Sequence, residues 1–209
     1  YIPYQLPNKK WGFANKNGIQ TSKEEYDFLT PFGDQAFSFV KRKEKWGVLD
    51  LELRQIVPCK FDSLNYIATY KIHSTPHFLF QGKINDSTTV LDLEYRWDYK
   101  TVTDVKLFPG EELAGIIVDT DKILLQVSKQ DKVGLYETKQ ETLKVIYASD
   151  LDEIKFLPQR IDAVRKGDKW SLQPRSEAHR LKFKWHEYTV EDDKSIRVRK
   201  GKKWKNFEF

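Results

Sequence analysis

Lys45-Trp46-Gly47-Val48-Leu49-Asp50 has a counterpart 35 residues earlier, Lys10-Trp11-Gly12-Phe13-Ala14-Asn15. Altered copies follow. Lys132-Val133-Gly134-Leu135 has lost the Trp, and Lys169-Trp170-Ser171-Leu172 has lost the Gly. Lys203-Trp204-Lys205-Asn206 opens a last, incomplete copy. Val90-Leu91-Asp92-Leu93-Glu94 reproduces Val48-Leu49-Asp50-Leu51-Glu52, which puts Thr88-Thr89 at the Trp-Gly position. The anchors 11, 46, 88, 133, 170 and 204 lie 35, 42, 45, 37 and 34 residues apart. A period in this range marks a tandem-repeat architecture. The chain is expected to be one repeat domain over 1–209, with repeats near 11–45, 46–87, 88–132, 133–169 and 170–203 and a partial copy at 204–209.

Two further positions keep the register. Six residues before an anchor stand Val40, Val127, Val164 and Val198. Fifteen and sixteen residues after one stand Tyr26-Asp27, Phe61-Asp62 and Thr103-Asp104, then Leu151-Asp152 with a small shift and Trp185-His186 without the Asp. Between the Val and the anchor runs a polar turn such as Arg165-Lys166-Gly167-Asp168-Lys169. An apolar residue, a Gly-containing turn and an aromatic residue spell a β-hairpin. The expected fold is therefore all-β, a solenoid-like tandem array of β-hairpin repeats. The alternative is a five-bladed β-propeller, because about 40 residues also make a four-stranded blade.

The structural anchors are Trp11, Gly12, Trp46, Gly47, Gly134, Trp170 and Trp204. Each Trp is expected in the core, with the following Gly allowing close approach. The competing role is a row of exposed Trp that stacks sugars or bases. Asp27, Asp62 and Asp104 are expected to cap turns of their own backbone.

Charge is uneven. The net is +5, but Lys155 to Phe209 carry 16 Lys and Arg against 8 Asp and Glu, a net of +8 against −3 for the rest. Lys166, Lys169, Lys200, Lys202 and Lys203 flank two equivalent turns and are expected to form one basic, anion-binding stripe. No apolar run approaches the ~18 residues of a membrane span. The sequence lacks a Gly-rich phosphate loop, a nucleophile elbow and a His-Glu-x-x-His motif. One cysteine, Cys59, cannot build a thiolate zinc site. Pro76 opposes the helix that would align His73 with His77, and His179 and His186 stand apart. No catalytic residue, cofactor or metal site is expected.

Lys10-Trp11-Gly12-Phe13, Lys45-Trp46-Gly47-Val48, Ile56-Val57-Pro58 and Phe61-Asp62-Ser63-Leu64 resemble the bacterial WG-repeat family, also called KWG repeats. Phe32-Gly33 and Ala36-Phe37-Ser38-Phe39-Val40 extend the likeness. It is close in the first two copies and holds in outline over nearly the whole chain. The resemblance implies a β-rich interaction module and transfers no active site. The expected function is a non-enzymatic scaffold for a protein or glycan partner. The alternatives are binding of an anionic polymer by the basic repeats, whether nucleic acid or cell-surface polymer, and a hydrolase built on Asp and His. The chain starts at Tyr1 and has no Met, so it is expected to be a processed or excised piece. Separately, an exported location, periplasmic or cell-surface, is expected over a cytoplasmic one.

Overall fold

Two-residue turns set the architecture of the computed structural model. Arg42 pairs with Lys45 across Lys43-Glu44, Lys129 with Lys132 across Gln130-Asp131, and Lys166 with Lys169 across Gly167-Asp168. Lys43 and Glu44 both take positive φ, 49° and 62°, and Gly167 takes 62°. Such turns twist with the strands they join, so each closes an antiparallel hairpin. The structure describes the chain except residues 23–25, 35, 96–98, 120–121, 140–141, 176–180, 193–194 and 208–209. At 99–103, 119, 139, 159 and 192 it describes the backbone alone.

The protein is all-β. Among the described residues there are twenty strands, a 3-10 turn at Pro158–Arg160 and no α-helix. The strands form six antiparallel sheets, none of which closes on itself. In the first compact unit, Tyr1–Pro109, β1 (Ile2–Gln5) pairs with β2 (Trp11–Ala14). A four-stranded meander follows: β3 (Phe28–Leu29), β4 (Ser38–Arg42), β5 (Lys45–Leu49) and β6 (Gln55–Phe61). The next comprises β7 (Ser63–Ile72), β8 (Thr75–Ile84), β9 (Ser87–Tyr95) and β10 (Tyr99–Lys106).

The second unit, Gly110–Phe209, repeats the plan. Its four-stranded sheet is β11 (Glu112–Asp119), β12 (Lys122–Lys129), β13 (Lys132–Lys139) and β14 (Thr142–Leu151). Two three-stranded sheets complete it. One holds β15 (Glu153–Leu157), β16 (Ile161–Lys166) and β17 (Lys169–Pro174). The other holds β18 (Glu187–Asp192), β19 (Ser195–Lys200) and β20 (Lys203–Asn206).

The repeat expected from the sequence appears as strand register. Trp46, Thr88, Val133, Trp170 and Trp204 all fall on the third strand of a sheet. Val40, Val127, Val164 and Val198 all lie on the second strand, fully buried, opposite the residue after the anchor. A sheet therefore takes its first two strands from one anchor-defined repeat and the rest from the next. The unit is larger than a single hairpin, since three of the sheets have four strands.

Each core lies between consecutive sheets. Phe13 and Tyr26 meet Leu29, Val40 and Leu49, and Val48, Val57 and Phe61 meet Phe80, Leu91 and Leu93. In the second unit Leu135, Tyr147 and Leu151 meet Ile154 and Val164, while Ile161 and Leu172 meet Trp185, Ile196 and Val198. A sheet is thus stable only with its neighbour, as repeat arrays are.

Candidate functional site

The repeat Trp is not core. Trp11, Trp46 and Trp170 are half-buried at the core edges, and Trp204 is 39% exposed. The buried large side chain is the residue that returns to the anchor, aromatic in three cases and Leu151 in the fourth. Tyr26 bridges to Trp11, Phe61 pairs with Trp46, Leu151 pairs with Val133 and Trp185 bridges to Trp170. All four returning residues are buried. Burial pushes the Tyr26 hydroxyl pKa up to about 12, with Cys59 adding to it.

Half-burial leaves an aromatic row in the first unit. Phe28, 43% exposed, sits edge-on between Trp11 and Trp46, with ring centroids at 6.4 and 5.8 Å. Such edge-to-face contacts fix ring orientation. The row leads into a cleft of about 500 Å³ walled by Phe39, Trp46 and Tyr66, with Thr30, Ser63 and Asn65 among them. Thr30 Oγ1 accepts from the Phe39 N–H at 2.9 Å, and Tyr66 Oη meets Thr69 Oγ1 at 2.5 Å. The side chains of Ser63 and Asn65 make no hydrogen bond among the described residues. Lys41 Nζ stands 5.7 Å from the Trp46 ring centroid. Flat apolar walls with two unspent polar groups can hold a ring-shaped or extended ligand by stacking and hydrogen bonding. Sequence reasoning missed Phe28, Phe39 and Tyr66 because they lie outside the anchor motif; only the high aromatic content hinted at them.

The remaining glycine anchors are positions of close approach. A Cβ on Gly47 would lie 2.6 Å from Val57 O, one on Gly134 2.6 Å from Ser149 Oγ, and one on Gly12 2.9 Å from Ser22 Oγ.

Asp27, Asp62 and Asp152 do not cap their own turns as expected for the first two. Each pairs with the lysine before its own anchor, Lys10, Lys45 or Lys132. Asp62 and Asp152 each also accept a backbone N–H from the turn of the following sheet, Asn85 for Asp62 and Gly167 for Asp152, while at Asp27 the Lys43 and Glu44 amides only help to lower the pKa. These lysines, above all, hold the three carboxyls below the usual aspartate range. Asp104 differs again. It lies mid-strand opposite Leu91 and pairs with Lys60 at 3.3 Å, while Leu107 N–H donates to Thr88 O. Leu107, not Thr103, therefore returns to the third anchor.

Buried ionisable groups are tied into structural networks. His77 Nδ1 lies 3.1 Å from Asp92 Oδ1 and stacks on Tyr70. Burial drives the carboxyl of Asp92, 1% exposed, upwards in pKa. Tyr147 donates to Asp162, which also takes Arg175 Nε at 2.9 Å. Tyr136 and Ser149 both donate to Glu111. His73 lies in the β7–β8 turn, His186 Nδ1 accepts from Gly201 N–H at 3.1 Å, and His179 falls outside the described residues. No group of three or more His, Cys, Asp or Glu side chains is gathered for a metal among the described residues.

Of the five stripe lysines, Lys166 is paired with Asp150. Lys169, Lys200, Lys202 and Lys203 are exposed at the two turns with no acidic partner among the described residues.

No protein-family model matches the chain, and no curated protein does. Among solved structures, one titled "AfRom2 CNH domain" aligns over 99% of this chain and 94% of its own, at 6% identity and a TM-score of 0.32. A likeness of that size carries no argument about fold or function.

Proposed function

We propose that this chain is a binding module of the WG-repeat type, and that the aromatic row of its first unit takes a neutral glycan. The observation that carries the reading is the cleft beside Trp46: three aromatic walls and two polar side chains, Ser63 and Asn65, with no partner among the described residues. Sugars present apolar ring faces and radial hydroxyls, which that pairing of groups matches. Trp11 and Phe28 continue the row and provide further stacking positions along an extended chain. The engagement of His77, Asp92, Asp162 and Glu111 in buried contacts supports a binding rather than a hydrolytic role. A protein partner is the alternative occupant, since Trp and Tyr also dominate protein hot spots.

Titration of tryptophan fluorescence with soluble neutral polysaccharides tests the reading. Trp46→Ala and Tyr66→Ala should each weaken binding about tenfold or more while Asp104→Asn leaves it unchanged. A saturable response that survives both aromatic substitutions removes the cleft from the site. Absence of any glycan response, with capture of a protein lost in Trp46→Ala, transfers the cleft to a protein partner.

A further inference from the structure

The last sheet carries a second cleft, about 550 Å³, chemically unlike the first and independent of it. Its walls include Lys184, Trp185, Arg197, Trp204, Lys205 and Asn206. Trp185 is 4% exposed. Lys184 Nζ and Lys205 Nζ lie 4.7 and 4.9 Å from its ring centroid. Beside it, the exposed Trp204 has the guanidinium carbons of Arg197 and Arg199 at 5.7 and 6.0 Å. Ring–cation contacts of this kind hold charged side chains in place.

The charges are not equally spent. Arg197 pairs with Glu191 at 3.2 Å and Arg199 with Glu187 at 2.5 Å. Lys184 and Lys205 have no carboxylate partner among the described residues. The Trp185 Nε1–H is buried without an acceptor among the described residues, and such a donor is costly to leave unmade. Two unneutralised ammonium groups gathered on one ring call for an anion. An exposed indole next to them calls for a flat ring on the same ligand.

We propose that this cleft binds a nucleotide, its phosphate taken by Lys184 and Lys205 and its base stacked on Trp204. A sulfated glycan also satisfies the charge, but a flat base covers the indole face more fully than a puckered sugar ring does. A single strand presents both groups on every residue, and its backbone would run on toward Lys200, Lys202 and Lys203, which carry no acidic partner among the described residues. Stacking platforms flanked by cations are the general means of holding unpaired strands.

The test is fluorescence anisotropy of a labelled oligothymidylate against the intact chain at about 50 and about 200 mM salt. Thymidine monophosphate and heparin serve as competitors. Trp204→Ala should weaken oligonucleotide binding roughly ten- to a hundredfold, and Trp204→Phe should recover most of the loss. Lys184→Gln and Lys205→Gln should each flatten the slope of log affinity against log salt by about 0.7. Competition by the mononucleotide identifies a single-nucleotide pocket. Its failure where the oligomer binds identifies the strand. The proposal is overturned if nothing binds at the lower salt. It is also overturned if heparin competes fully while Trp204→Ala changes nothing, because the surface is then only a polyelectrolyte. Trp204 and Lys205 are exposed, so the variants should fold; unchanged circular dichroism and melting confirm that the loss lies in binding.

Discussion

Asp62 closes one sheet and caps the hairpin of the next: the backbone N–H of Asn85 donates to its Oδ2 at 2.7 Å. Its other oxygen takes Lys45, the lysine before its own anchor. Asp152 repeats the arrangement between Lys132 and Gly167, and Asp27 keeps the lysine half of it, taking Lys10. One carboxylate therefore joins two consecutive sheets. The repeat Lys and the Asp near position +16 are two halves of one joint.

Stability should depend on pH through these joints. The folded-state pKa of Asp27, Asp62 and Asp152 is depressed, first by the lysine and then by other contacts that include the turn amides. A depressed carboxyl contributes fully above its unfolded pKa of about 3.9, and the contribution disappears as pH falls through the lower folded value. Melting temperature should hold down to about pH 4 on account of these groups and then fall. The pairs are partly exposed, so the effect should be modest and should shrink with added salt. A variant carrying Asp62→Asn and Asp152→Asn should show a shallower acid limb. An unchanged limb would remove the joints from the account.

The last joint is built differently. His186 stands at the Asp position, its Nδ1 accepting from Gly201 N–H at 3.1 Å, and Lys169 has lost the carboxylate that its counterparts use. His186→Asp should restore the three-way contact and raise stability by up to about 1 kcal/mol. The gain should vanish in the double variant with Lys169→Gln. A melting comparison of the four proteins in this cycle gives the coupling directly.

Large-to-small substitutions should invert the order that the sequence suggests. Phe61 is fully buried and fills the space opposite Gly82, where an added Cβ would overlap its ring. Phe61→Ala should cost roughly 3–5 kcal/mol. Trp46 is half-buried at the rim of the same core, so Trp46→Ala should cost clearly less despite the larger side chain. Urea denaturation of both variants measures the difference.

Much of this fold was legible because pairing geometry is rigid. A two-residue turn places Val40 opposite Gly47 and Val164 opposite Ser171, so a fixed spacing in sequence becomes a fixed partner in space. The burial of Trp was not legible. Trp46 shares a sheet face with Val48 but lies two residues nearer the turn, and alternation says nothing about distance from the rim. The bridging role of Asp62 was hidden for another reason. Its partner Asn85 is 23 residues away, whereas turn chemistry weighs only near neighbours. The third repeat was misaligned because its β9–β10 hairpin runs on to the Tyr95–Tyr99 pair before it turns, which carries Asp104 into mid-strand and leaves Leu107 at the anchor.

The loss of Gly from some anchors has a local cause, and it yields a sharp comparison. Trp46 pairs with Phe61 and Val48 with Val57, so Pro58, Cys59 and Lys60 all pass opposite Gly47 alone. Val133 pairs with Leu151 and Leu135 with Tyr147, which sends Ala148, Ser149 and Asp150 past Gly134 in the same way. Pro58 suits such a bulge because it has no N–H to give the ladder. At Gly47 an added Cβ meets backbone, 2.6 Å from Val57 O and 2.9 Å from Cys59 N, and nothing there can rotate aside. Gly47→Ala should therefore cost about 1–3 kcal/mol or more, as overpacking does. In the third sheet Thr89 faces Lys106 in a ladder that is regular from Thr103 to Lys106, and its Cβ is accommodated. Ser171 uses its side chain instead, its Oγ accepting from the Lys182 N–H at 3.0 Å. Ser171→Gly removes that acceptor and adds backbone freedom, so it should destabilise by about 1 kcal/mol rather than restore an ideal motif. If Gly47→Ala were neutral, or Ser171→Gly stabilising, the bulge would not be what selects glycine at this position.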